Sequence, residues 1–372
     1  MPISSGVCPS AILVPKTKRA PSTPTMASLS LALVFLLVSS SCLVLDAQSS
    51  PPLVKGMSFT FYRSNCPNLE KIVTDYLRTV FRKDIGQAAA LLRIHFHDCF
   101  VQGCDGSVLL DGSASGPSEK TAPPNLTLRP EAFVTINALR ELVQKKCGQI
   151  VSCADIVALA ARDAVALSGG PNYPVPLGRR DGLTFATRDA TLNSLPGPNE
   201  QTPALIAALS RINLDFTDLV ALSGGHTIGI SHCTSFEDLL YPAQDTTMDQ
   251  TFAKNLKVTC PKKNSSNTTP LDIRSPNKFD NKYYVDLMNR QGLFTSDQDL
   301  YSNKTTQPIV TKFAINETAF FEQFALSMVK MGQLSVLTGT QGEIRANCSA
   351  RNSARSALWS VVDDEGEAAA AF

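Results

Sequence analysis

From Asn68 onward the chain repeats one pattern. Asn68–Lys83 places apolar residues at 69, 72, 73, 76, 77, 80 and 81, a 3.6-residue stripe that gives an α-helix one buried face and gives a strand none. Similar stripes cover Gln87–Val101, Pro130–Lys146, Cys153–Leu167, Thr202–Ile212, Phe216–Leu222, Met248–Val258, Asn281–Arg290 and Thr318–Met331. Gly and Pro clusters punctuate them, at Ser168-Gly169-Gly170-Pro171, Leu195-Pro196-Gly197-Pro198 and Ser223-Gly224-Gly225. No alternating pattern competes over more than a few residues, so the expected fold class is all-α, without internal repeat or interior linker. At 372 residues and 43% hydrophobic the chain can bury a large core. A charged fraction of 18% argues against disorder. The net charge of +1 supplies no global field to recruit nucleic acid or a membrane surface.

The first 47 residues read as address rather than fold. Lys16, Lys18 and Arg19 precede Met26, and the apolar run Leu29–Val38 follows. That is a basic region before a core of signal-peptide length, too short to span a bilayer comfortably. Leu45-Asp46-Ala47 offers a cleavage site before Gln48, and Met1 and Met26 both stand as possible starts. Removing residues 1–47 takes away three basic residues and Asp46, leaving 31 basic against 32 acidic side chains and a net charge of −1. The acidic, small-residue tail 353–372 is expected to be a frayed end or a sorting extension. Of ten cysteines, Cys8 and Cys42 leave with the leader. The remaining eight are an even set, read in an exported chain as four disulfides. Eight cysteines allow 105 connectivities, and spacing by itself proposes only Cys99 with Cys104. Zinc is the weaker reading, since no paired C-x2-C units occur. Sequons at Asn264, Asn267, Asn303, Asn316 and Asn347 fit a secreted glycoprotein.

Residues 93–107 crowd an arginine, two histidines, two aspartates and two cysteines beside the apolar run Ala88–Leu92. On a helix, Arg93 and His97 are four apart and share one face. His95 then lies about 200° around the axis from His97, so the two cannot grip one metal. An Arg–His pair without a metal set points to acid–base chemistry beside developing negative charge; a core histidine with a surface arginine is the plainer alternative. Asp98, Asp105 and Ser107, with the carbonyls of Val101 and Gly103, form an oxygen-rich loop suited to calcium. Turn-forming Asp and Gly residues offer the plainer account of the same loop.

Five ordered motifs carry a family resemblance. They are Arg93-Ile94-His95-Phe96-His97-Asp98-Cys99-Phe100, Val151-Ser152-Cys153-Ala154-Asp155, Pro176-Leu177-Gly178-Arg179-Arg180-Asp181, Leu222-Ser223-Gly224-Gly225-His226-Thr227-Ile228-Gly229 and Phe279-Asp280-Asn281-Lys282-Tyr283. Over residues 57–352 the chain resembles the secretory plant peroxidases, the class III haem peroxidase family. The resemblance implies the haem peroxidase fold, two helical lobes with one haem b between them, four disulfides and two calcium ions. It implies His97 as the distal acid–base, Arg93 as the charge stabiliser, Phe96 as a shield of the iron site and Asn125 as acceptor of the second ring proton of His97. Asn125 begins a further sequon, expected to stay bare because it is buried. His226 is implied as the iron ligand and Asp297 as the carboxylate bonded to its far nitrogen; His95 and His232 match no catalytic position. The distal calcium set is Asp98, Val101, Gly103, Asp105 and Ser107, with Glu119 joined through water. The proximal set is Thr227, Asp272, Ser275, Lys278 through its carbonyl, and Asp280, with Ser275 where threonine is commoner. The implied disulfides are Cys66–Cys147, Cys99–Cys104, Cys153–Cys348 and Cys233–Cys260, and Asp155 with Arg179 matches a buried structural ion pair.

Donors are expected at the haem edge near Pro196, with Phe236 supplying an aromatic wall; Pro123 and Asn199 stand where some relatives carry phenylalanine. The expected activity is peroxide reduction to water with one-electron oxidation of small phenolic donors, in cell-wall phenol and lignin-type oxidation, stress response and peroxide removal. The expected protein has residues 1–47 as leader, 48–352 as peroxidase domain and 353–372 as tail. It is expected to be a secreted monomer of the cell wall, with the vacuole as alternative, having no nucleic-acid partner and no stable membrane insertion of the mature chain. Two rivals share the fold: a non-catalytic wall glycoprotein, and an oxidase making reactive oxygen from O2 and a reductant. Retention of Arg93, His97, Asn125, His226 and Asp297 together counts against the first, since drift would have touched at least one.

Overall fold

The computed structural model describes residues 51–112, 116 and 118–352; the leader 1–47 and the tail 353–372 of the sequence reading lie outside the described residues. Among these, twelve α-helices carry the fold. The first is Leu69–Lys83 (α1), whose stripe buries Leu69, Val73, Leu77 and Phe81. Glu70 in its first turn and Arg82 and Lys83 in its last complement the helix dipole. Gly86–Val101 (α2) and Cys153–Leu167 (α4) are buried on most sides and pack along each other at the centre of one group. Pro130–Cys147 (α3) and α1 cover that pair. Helix α4 starts cleanly because Ser152 caps it, accepting from the Asp155 backbone N–H.

A second group packs Phe216–Ser223 (α7) against Glu317–Met331 (α12), and Lys282–Met288 (α9) against Gln307–Ile315 (α11). Thr202–Ser210 (α6) and Thr295–Ser302 (α10) join its edge. Its heart is aromatic: Phe279, Tyr284, Phe313, Phe320 and Phe324 meet edge-on, tilted or stacked, with centroids 4.8–5.9 Å apart. Arg188–Ser194 (α5) lies against α2. Beyond α7, Ile230–His232 (β1) pairs antiparallel with Thr268–Pro270 (β2), Ser231 opposite Thr269. This short ribbon is the one sheet among the described residues, beside a few isolated antiparallel bridges such as Ser58 with Leu177. It leads into a satellite core of Cys233, Phe236, Leu240, Met248, Phe252 and Leu256, to which Gln250–Thr259 (α8) contributes.

The eight cysteines close as Cys66–Cys147, Cys99–Cys104, Cys153–Cys348 and Cys233–Cys260. Those spanning 81 and 195 residues withdraw the most freedom from the unfolded chain, each on the order of 4–5 kcal/mol by chain entropy. Three helices have no counterpart among the stripes read from sequence. Helix α5 buries only Thr191, and α10 buries Asp297 and Gln298 beside Leu300, so polarity hides both. Helix α11 opens on a proline at its first turn, where the ring is tolerated rather than disruptive. Phe236 requires a correction: it is 1% exposed in the satellite core, packed away from solvent, and cannot wall a donor edge.

Candidate active site

Helix α2 presents Arg93, Phe96 and His97 along one side. His97 is buried, and its Nδ1 lies 2.6 Å from the Asn125 Oδ1. The Asn125 amide is itself fixed, because its Nδ2 donates to the Glu119 carbonyl at 2.8 Å. The oxygen therefore faces the imidazole, and His97 Nδ1 must carry the proton. That leaves a lone pair on Nε2, which accepts from Arg93 Nε at 3.2 Å. The guanidinium is held by the segment on either side of Asn125, donating to the Pro124 carbonyl, the Thr127 carbonyl and the Thr127 hydroxyl at 2.9–3.0 Å. Burial, then the charge of Arg93, push the His97 imidazolium down to about 3, with the Asn125 bond opposing. His97 is thus a neutral base at any ordinary pH. Burial alone brings Arg93 down to about 10, still cationic. Phe96 meets the His97 ring edge-on at 5.1 Å and Phe100 at 4.6 Å. His95 faces the opposite way, beside the Cys99 sulfur at 3.6 Å. A zinc site shared by His95 and His97 is thereby excluded.

Asp98, one residue on, points into the loop closed by Cys99–Cys104. Its carboxylate accepts from the Gly106 and Val108 backbone at 2.9 and 3.4 Å, and Asp105 accepts from the Ser107 N–H at 3.0 Å. Gly106 takes φ +67° to make the turn. Burial and then the neighbouring Asp105 charge raise Asp98 well above the carboxylate range, and burial brings Glu119 up to about 7. The buried Ser107 Oγ and Glu119 Oε2 lack a well-formed hydrogen bond. Crowded buried carboxylates with orphaned oxygens are what a calcium ion would relieve. Among the described residues no three His, Cys, Asp or Glu side chains converge on one point by themselves, so this set needs its hydroxyl and carbonyl oxygens.

On the facing side α7 ends at Gly224, where any Cβ would collide with the Tyr284 hydroxyl and the Phe320 ring. The 3-10 turn Gly224–Thr227 that follows presents His226. Its Nδ1 lies 2.7 Å from Asp297 Oδ1, its side chain is 38% exposed, and Asp297 is 3% exposed. One ring nitrogen is therefore pinned on a buried carboxylate, while Tyr283 and Phe294 meet the partly exposed ring edge-on at 6.0 and 5.5 Å. Asp297 sits in the first turn of α10, and its Oδ2 accepts from the Phe294 N–H at 3.0 Å. Next to His226, Thr227 donates to Asp272 at 3.0 Å; Asp272 gathers the Arg274 and Ser275 N–H groups, and Ser275 donates to Asp280 at 2.9 Å. Lys278 lies beside them, its ammonium 3.4 Å from Asp280. Pro196 is half-buried just beyond the end of α5; Val101 is the last residue of α2 and Gly103 lies in its exit loop.

The chain matches the peroxidase family model over residues 73–316. It is 65% identical over 313 residues to Peroxidase 12 of Arabidopsis thaliana, covering 84% of this chain and 87% of that relative. It is 62% identical over 314 residues to Cationic peroxidase SPC4 of Sorghum bicolor, with the same coverage. The chain belongs to the class III plant peroxidases. A peroxidase of this class reduces hydrogen peroxide while oxidising a donor, and the class is secretory. The residues of this peroxidase fit the haem and calcium that its family implies, on His226 with its unpinned nitrogen and on the orphaned oxygens around Asp98 and Asp105. Sequence reading missed Thr127, which holds Arg93. It quoted Tyr283 only as the end of a motif and missed its hydroxyl, which donates to Asp297 at 2.9 Å. It also missed Asp286, buried beside Asp272 and paired with Arg274 at 2.6 Å.

Proposed function

We propose that this peroxidase holds one haem b on His226 and two calcium ions, and oxidises small phenols by one-electron steps. The observation that carries the reading is the pair of histidines with opposite settings. His97 has its Nδ1 proton on Asn125 and a basic Nε2 lone pair that faces Arg93; His226 has Nδ1 on a carboxylate and a partly exposed ring. When bound, haem supplies the electrons that cleave the peroxide O–O bond. His97 Nε2 takes a proton from hydrogen peroxide and returns it to the departing oxygen, and Arg93 stabilises the charge that builds there. Phe96 crowds the approach to the iron, and Asn125 keeps the His97 tautomer. Asp297 accepts a hydrogen bond from the His226 Nδ1–H and makes that imidazole a stronger donor. One peroxide and two phenols give two waters and two phenoxyl radicals.

Asp98, Val101, Gly103, Asp105 and Ser107 hold the distal calcium, with Glu119 behind them. Thr227, Asp272, Ser275, the Lys278 carbonyl and Asp280 hold the proximal one. Donors approach at Pro196. Residues 1–47 are removed as a leader and residues 48–352 form the working domain. The product is a monomer of the cell wall, with the vacuole as alternative destination through the tail 353–372. Among the described residues no helix is long and apolar enough to cross a membrane. Purified protein should show a Soret band and oxidise guaiacol only when peroxide is added. A haem-free protein without turnover would overturn the reading in favour of a non-catalytic glycoprotein.

A further inference from the structure

Asp297 Oδ1 is shared. It accepts from His226 Nδ1 at 2.7 Å and from the Tyr283 hydroxyl at 2.9 Å, while Oδ2 is engaged by the Phe294 N–H. Tyr283 is 1% exposed, so water cannot take over its role. Its ring is fixed edge-on to Tyr284 at 5.1 Å, and Tyr284 is anchored through its own hydroxyl to the Val220 carbonyl at 2.9 Å. The phenol therefore has one acceptor and little freedom to leave it. Two donors on one carboxylate oxygen compete for the same charge. Whatever Tyr283 draws off is lost to the His226 N–H, and hydrogen bonds on ligand-bonded carboxylates tune the ligand itself.

We propose that Tyr283 is a positioning residue that moderates the electron-donating strength of His226 by sharing Asp297 Oδ1 with it. The inference rests on His226 being the iron ligand. Tyr283→Phe keeps the ring and removes only the competing donor, so the Asp297–His226 bond should tighten. In the haem-loaded protein the iron–histidine stretching frequency of the reduced form should rise. The ferric–ferrous equilibrium should move toward ferric by roughly three- to tenfold, the differential part of one hydrogen bond to a charged group. Placing 3-fluorotyrosine at position 283 makes the phenol a stronger donor and should shift both readouts the opposite way, which a purely structural role would not do. If Tyr283→Phe does not fold, the fluorotyrosine protein carries the test alone. A normal iron–histidine band that moves with neither replacement overturns the role of Tyr283. A wild-type spectrum with no such band overturns the ligand assignment instead.

Discussion

In the proposed reading His97 transfers the proton, and its tautomer is set by a neighbouring side chain. Asn125, oriented by the Glu119 carbonyl, decides which ring nitrogen holds the proton. Little of this was legible from spacing, which put Arg93 and His97 on one face but could not say that a loop thirty residues away clamps them both. Because the folded imidazolium is pushed down from 6.5 to about 3, the neutral base persists as pH falls and is lost only as pH drops through about 3. The rate of peroxide consumption should therefore stay flat across ordinary pH and show its acid limb near 3. Asn125→Ala should lower that rate by about 10–100-fold, the usual cost of losing a residue that orients a reacting group. A pH–rate profile by rapid mixing checks both, and an acid limb near 6.5 with an unaffected Asn125→Ala rate would refute them.

Helix α2 works because its C-terminal exit is held by the Asp98–Asp105 loop and the Cys99–Cys104 bridge. Elements of this kind were readable where burial follows hydrophobicity, as in α1. They were unreadable where polar groups are buried for chemistry, as in α10, whose inward face is Asp297 and Gln298. Phe236 failed for a related reason, since an aromatic residue in sequence does not say whether it faces a cleft or a core. If the loop holds calcium, Asp98→Ala and Asp105→Ala should lower calcium content and slow turnover, up to about 10²-fold should His97 shift by an ångström. Metal analysis beside activity measures this, and full calcium with full activity in both variants would remove the assignment.

At the scale of the molecule, two helical groups share one continuous core, and long-range bridges close it. The ordered motifs made the family legible, because each fixes chemistry at a stated place along the chain. They included Tyr283 without giving it a role and did not reach Asp286; both matter through contacts that only the fold brings about. The secretory reading expects a mature chain starting near Gln48 with four disulfides and no reactive thiol. Intact mass with and without reduction tests this, and a retained Leu29–Val38 segment or two titratable thiols would contradict it. The central claim is that His97 and His226 divide the labour, and rapid mixing of haem-loaded variants with peroxide, followed by the haem spectrum, tests it most directly. His97→Ala should keep its haem and lose peroxide cleavage by about 10⁴-fold, the upper end for a positioned acid–base group, whereas His226→Ala should lose its grip on the haem. A His97→Ala protein that reacts with peroxide at the wild-type rate would contradict the account.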